Sequence, residues 1–173
     1  TFNTDWQDEV FRAATLNKVN ASISGGNESS NYFGSISYLD QQGILIGNDF
    51  DRLNLQLNLN KQLTSRFSAN LSLSGARTAN NRLSDDADLG NPLKALLLPA
   101  SDEGDPNNNF NLRTLRGRNF YNPVTEVTFS DFIETSNFFI GNLGLTYDVN
   151  EKLSLNLDGG VDLLDETLER RQG

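Results

Sequence analysis

The chain has no cysteine, no histidine and no methionine among its 173 residues, and only four prolines and one tryptophan. Without cysteine there is no disulfide framework and no thiolate metal site. Without histidine the commonest acid–base catalyst and metal ligand is missing. Basic residues are scarce, 14 against 23 acidic ones, and the formal net charge of −9 argues against a nucleic-acid partner. Long hydrophobic runs are lacking too. No stretch approaches the roughly 18 consecutive apolar residues of a spanning helix, which excludes a helical membrane protein. No initiator methionine or signal peptide opens the sequence, which reads as an internal or processed piece. Neither an enzyme nor a cofactor is expected from such a composition.

What the sequence has instead is alternation. Leu53, Leu55, Leu57 and Leu59 alternate with Asn54, Gln56, Asn58 and Asn60. Successive side chains of a strand point to opposite faces, so one face is aliphatic and the other polar. The pattern returns at Leu71 and Leu73 beside Asn70, and at Leu153, Leu155 and Leu157 beside Asn156, Asp158 and Asp162. Weaker alternation marks three further segments. Six strands are predicted near 17–25, 31–40, 51–61, 66–78, 135–149 and 152–167. Their connections alternate strictly between tight, turn-rich links and long ones, near 41–50 and 79–134. An up-and-down sheet then carries all its short turns at one end and its long loops at the other, as transmembrane β-barrels do.

Periodicity alone does not say what the leucine face meets. It is a buried core in a soluble β-sandwich or carbohydrate-binding module, and it meets lipid in a membrane barrel. Three features favour lipid. The strands exceed the usual globular length of about 5–6 residues. Aromatics sit near the ends of the apolar faces: Tyr32 and Tyr38 on one strand, Phe139 and Tyr147 on another. The polar face is built of Ser, Asn, Gln and Asp more than Lys and Glu. Six strands are too few to close such a barrel, since the smallest have about eight. The fold expected is therefore all-β, an antiparallel up-and-down segment of a larger barrel.

Specific residues carry a resemblance. Asp5-Trp6-Gln7-Asp8-Glu9-Val10-Phe11-Arg12 is similar to a segment of the SusC/RagA-type TonB-dependent outer-membrane transporters of Bacteroidetes. Ala21-Ser22-Ile23-Ser24-Gly25-Gly26 resembles the family's strand and periplasmic turn. Tyr32-Phe33 through Tyr38-Leu39-Asp40-Gln41-Gln42-Gly43-Ile44 resembles its next signature, and the match is dense over residues 4–80 and looser over about 119–161. The resemblance implies a 22-stranded barrel in the outer membrane of a Gram-negative bacterium. It further implies a plug, energy coupling through TonB, and a SusD-like surface lipoprotein as partner. The cargo implied is glycans, oligosaccharides or peptides. The family's plug and TonB box have no counterpart in these residues, and a passive porin-like barrel is the alternative within the membrane class. On this reading residues 1–16 end an extracellular loop and 17–78 form four strands. Residues 79–134 form a long extracellular loop with a short helix near 92–98, 135–167 a last hairpin, and 168–173 the start of another loop.

Site candidates follow from these placements. Trp6 is either a stacking surface for cargo or partner, or packing inside a folded loop. Arg113, Arg116 and Arg118 lead into Phe120 and Tyr121, a grouping suited to anionic groups or to the nearby acids. Asn54, Asn58, Asn70, Asn156, Asp158 and Asp162 are expected to line the lumen. Leu53, Leu55, Leu57, Leu59, Leu71, Leu73, Leu153, Leu155 and Leu157 are expected to face lipid. Asp102, Glu103 and Asp105 are weak Ca²⁺ candidates whose spacing equally suits a turn.

Overall fold

The computed structural model describes residues 5–82, 113–115, 118–120 and 130–172, with the side chains of 5–82, 132–170. In chain order the elements are a short helix α1 (Trp6–Val10) and strands β1 (Leu16–Asn27), β2 (Ser30–Gln42), β3 (Asp49–Thr64) and β4 (Phe67–Arg82). Two short strands follow, β5 (Arg113–Leu115) and β6 (Arg118–Phe120), then the long strands β7 (Ser130–Asn150) and β8 (Leu153–Gln172). The long strands form one sheet in the order β1-β2-β3-β4-β7-β8, each antiparallel to its neighbour. The pair β5-β6 forms a separate ribbon.

The six long strands match the six read from alternation, and each is longer. β4 continues through Ala79-Asn80-Asn81-Arg82, β7 begins at Ser130, and β8 reaches Gln172, where loops were expected. The reason is physical. In these end segments Asn81 and Glu169 fall on the apolar face and Phe132 and Leu168 on the polar one, so alternation disappears while backbone pairing continues. Beyond the apolar zone, Arg82 reaches across to Glu134 at 3.5 Å and stacks over the Phe132 ring at 4.8 Å. The ribbon β5-β6 and the helix α1 were likewise not foreseen.

Three two-residue turns join the hairpins: Glu28–Ser29, Ser65–Arg66 and Glu151–Lys152. The first is an Asn-directed turn, with Asn27 Oδ1 accepting from the backbone N–H groups of Ser29 at 3.0 Å and Ser30 at 2.9 Å. Asn150 Oδ1 likewise accepts from Lys152 N at 2.9 Å. All three turns lie at one end of the sheet, and the β2–β3 connection, the end of β4 and the start of β7 lie at the other.

The turns are staggered. Ser29 O accepts from Gln62 N, so the first turn stands level with Gln62, three residues short of the next turn at Ser65. Arg66 O accepts from Asp148 N, three residues short of Glu151. Three residues are about 10 Å along a strand, and two strand spacings are about 9.6 Å across. A line through the turns is therefore inclined by about 45° to the normal of the strands, close to the tilt of transmembrane barrel strands.

Among the described residues this sheet has no second layer. Among the described residues the buried apolar side chains are Trp6, Val10 and Leu45, all at the rim and none in the sheet. Leu55 is 50% exposed and Leu157 68%. The soluble sandwich needs that face sealed, so it is set aside.

Candidate functional site

Strand register sorts every side chain of the sheet onto one of two faces. Across the apolar face one row runs Ile23, Gly34, Leu57, Leu73, Gly141, Val161. The row beside it on the other face runs Ser24, Phe33, Asn58, Ser72, Asn142, Gly160. All nine leucines named above fall on the first face, and all six Asn and Asp residues named with them fall on the second. Alternation could not reveal that the segments share these faces; the register does.

The apolar face has defined edges. Tyr32 and Tyr147 lie three and four residues from their own turns, and Lys61 lies four from its turn, so all three share one height. The Tyr32 ring covers Gly25, where an added Cβ would lie 2.5 Å from the phenol oxygen. At the other edge Tyr38 donates to Asp51 at 2.8 Å, and Asn137 lies 3.4 Å from Asp165. With a tilt of about 45°, the stretch from Leu153 to Leu163 spans about 23 Å of height, near the 25 Å apolar band of an outer-membrane barrel.

The polar face is a ladder of short side chains bonded across strands. Asn54 donates to Ser37 at 3.0 Å, Asn60 to Asn31 at 2.8 Å, Ser72 to Asn58 at 2.8 Å and Thr146 to Asn156 at 2.8 Å. Such pairs satisfy one another while leaving further donors and acceptors toward the space in front of the sheet. Asn70 and Asp158 come together over Gly144, with which both are paired. Asp162 stands two positions further along β8 on the same face.

At the long-loop end a compact knot ties the N-terminal segment to the β2–β3 connection. Asp5 caps α1 by accepting from Gln7 N at 3.0 Å. Phe11 pairs with Leu45, and Ile46 N donates to Val10 O at 3.0 Å. Arg12 then spans both ends of the connection. Its Nε donates to Gly43 O at 3.1 Å, and its Nη2 reaches Asn48 O at 3.2 Å and Asp49 at 2.5 Å. Gly47 occupies positive φ, 89°, where a side chain would be strained. Trp6 is 2% exposed inside this knot.

The remaining candidates are placed only in part. Arg113 is opposite Phe120, and Leu115 opposite Arg118, across the β5-β6 ribbon, by backbone alone. Arg116, Tyr121, the expected helix at 92–98 and the Ca²⁺ candidates Asp102, Glu103 and Asp105 lie outside the described residues. Sequence reasoning passed over Arg12, although it stands in a quoted motif, because its partners are 31 to 37 residues downstream.

An up-and-down sheet with staggered turns, one exposed aliphatic face and one polar face has the form of a stretch of outer-membrane-type β-barrel wall. No family model matches the chain. Among curated proteins it is 32% identical over 88 residues to TonB-dependent receptor P3 of Formosa agariphila, covering 51% of this chain and 9% of that protein. To the TonB-dependent receptor SusC of Bacteroides thetaiotaomicron it is 41% identical over 59 residues, 34% of this chain and 6% of that protein. The fold is similar to the RagAB peptide importer in its closed-closed state, with TM-score 0.75 at 20% identity over 99% of this chain. Against the open-open state the TM-score is 0.76. In sequence and fold the chain is similar to part of the barrel of TonB-dependent transporters of the SusC/RagA type. It spans less than a tenth of these curated relatives and 20% of the RagAB chain it matches. The named relatives are receptors and an importer, not enzymes.

Proposed function

We propose that this segment is wall and rim of a TonB-dependent importer in the outer membrane of a Gram-negative bacterium. The observation that carries the reading is the uncovered aliphatic face of a staggered up-and-down sheet whose sequence is similar to TonB-dependent receptors. That face meets acyl chains, the two tyrosines and Lys61 meet the headgroups on the turn side, and the Asn/Ser ladder faces the barrel interior. The tight turns are periplasmic, and the Arg12 knot lies outside. The free edges of β1 and β8 pair with further strands of the same barrel, because unpaired backbone groups in hydrocarbon cost several kcal/mol each. Glycans, oligosaccharides and peptides are the cargo classes, with a SusD-like lipoprotein over the outer rim. The SusC and RagAB relatives support this assignment. No bond is made or broken by these residues, and transport depends on a plug outside this segment.

The test is uptake in cells with and without the full-length protein, each with and without functional TonB. Defined glycan and peptide mixtures serve as probes. Uptake of one class should require both proteins. Uptake that requires the full-length protein but persists without TonB would overturn the reading in favour of a passive porin.

A further inference from the structure

Halfway along β7 and β8 the interior face loses two side chains. Gly144 and Gly160 occupy adjacent rows, opposite Asp158 and Asn142. Three side-chain oxygens lean into the vacated space. A Cβ on Gly144 would collide with Asn70 Oδ1 and lie 2.7 Å from Asp158 Oδ1, and one on Gly160 would lie 2.6 Å from Asn142 Oδ1. The result is a shallow notch of about 270 Å³, floored by glycine backbone and walled by Asn70, Asn142 and Asp158.

Some polar side chains on this face are already bonded, and these three are not. Asn58 and Asn156 are bonded to Ser72 and Thr146. Asn70, Asn142 and Asp158 have no side-chain hydrogen bond or ion pair among the described residues. A carboxylate accepts hydrogen bonds only, and its charge fixes the sign of the notch whichever way the two amides turn. No aromatic ring lines the notch, so a sugar ring has no stacking platform there. Three side-chain oxygens also fall short of the 6–8 that Ca²⁺ takes. What matches is a compact cation with several N–H donors.

We propose that the notch formed by Gly144, Gly160, Asn70, Asn142 and Asp158 binds a single ammonium or guanidinium group. The inference rests on the reading of the polar face as barrel interior. The group reaches it from in front of the sheet, donates to Asp158 and to the amide oxygens, and lies flat against the glycine floor. It comes either from a basic peptide passing through or from a basic side chain of the full-length protein itself.

The experiment uses the purified full-length protein in detergent and needs no transport, so its outcome is separable from the uptake test. Triarginine and its neutral isostere tricitrulline are the probes, read by fluorescence anisotropy, and the thermal midpoint of barrel unfolding is read alongside. Asp158→Asn removes the charge, Gly144→Ala fills the floor, and Glu151→Gln in the distant turn is the charge control. If the cation arrives from outside, triarginine binds in preference to tricitrulline. Both notch variants then lose about fivefold in affinity, the worth of a partly exposed ion pair, and the control loses none. If it belongs to the protein, triarginine shows no preference, and Asp158→Asn lowers the midpoint where Glu151→Gln does not. Should Asp158→Asn fail to assemble, Gly144→Ala decides by the same readouts. Wild-type binding and wild-type midpoints in the notch variants would overturn the proposal.

Discussion

Leu57 and Asn58 are chain neighbours with opposite surroundings. Leu57 stands between Gly34 and Leu73 near the middle of the aliphatic face, and Asn58 accepts from Ser72 on the polar one. Leu57→Arg in the full-length protein should cost about 2–4 kcal/mol near the bilayer midplane. Asn58→Arg loses one neutral hydrogen bond, about 1 kcal/mol, and keeps its charge in water. Urea unfolding in lipid measures both, and equal tolerance would contradict the assignment of faces. Arg12 offers a second test at this scale. It holds two backbone carbonyls and a carboxylate at once, a task for a planar fork that a lysine's single ammonium does not reproduce. The pair with Asp49 is partly exposed, so Arg12→Ala should cost only about 1–2 kcal/mol. The loss should appear locally, as faster hydrogen exchange at the Gly43 and Ile46 amides, with Arg12→Lys close to Arg12→Ala. Unchanged exchange there would remove the latch.

Among elements, the turns and the longer connections divide the two ends of the sheet, and their sidedness is open to labelling. The described segment has no native cysteine, so Ser29→Cys in the first turn and Ile44→Cys in the knot each introduce a single thiol. Ile44 is 65% exposed. A maleimide carrying a polymer too large for the outer membrane should label Ile44→Cys in intact cells, and Ser29→Cys only after permeabilisation. The reverse pattern would invert the barrel. How far these elements were legible follows from what each one signals. Strands β3, β4 and β8 announce themselves because their two faces carry opposite residue types, which writes period two into the sequence. At their ends, Asn80–Arg82 is polar throughout and Leu168 falls among the polar positions, and there the code falls silent. α1 is too short for a helical stripe, although Asp5 followed by acidic Asp8 and Glu9 carried the signal of a helix start. The notch was unreadable because Asn70 and Asp158 meet only through the registers of three strands, and Gly144 and Gly160 look in sequence like lapses of alternation.

At the level of the whole molecule, the sheet as it stands is an unfinished object. β1 and β8 each have one edge without a partner strand among the described residues, and the face between them exposes Val19, Ile23, Leu55, Leu157 and Leu163. In water such a sheet has little core to set against the entropy of ordering its chain, because among the described residues the buried apolar side chains are Trp6, Val10 and Leu45, at the rim. Its unpaired edges are long, 12 residues in β1 and 20 in β8, and such edges template addition of further strands. Expressed alone without detergent, residues 1–173 should therefore form strand-rich aggregates and show no monomer by size-exclusion chromatography. The same residues within the full-length barrel should resist unfolding in lipid, since closure there pairs both edges and the bilayer covers the aliphatic face. A detergent-free monomer of this segment that unfolds cooperatively would mean that the leucine face has found cover within its own chain. The barrel-wall reading would then fail at its root, and the fates of Leu57 and Asn58 would have to be argued again from a soluble core.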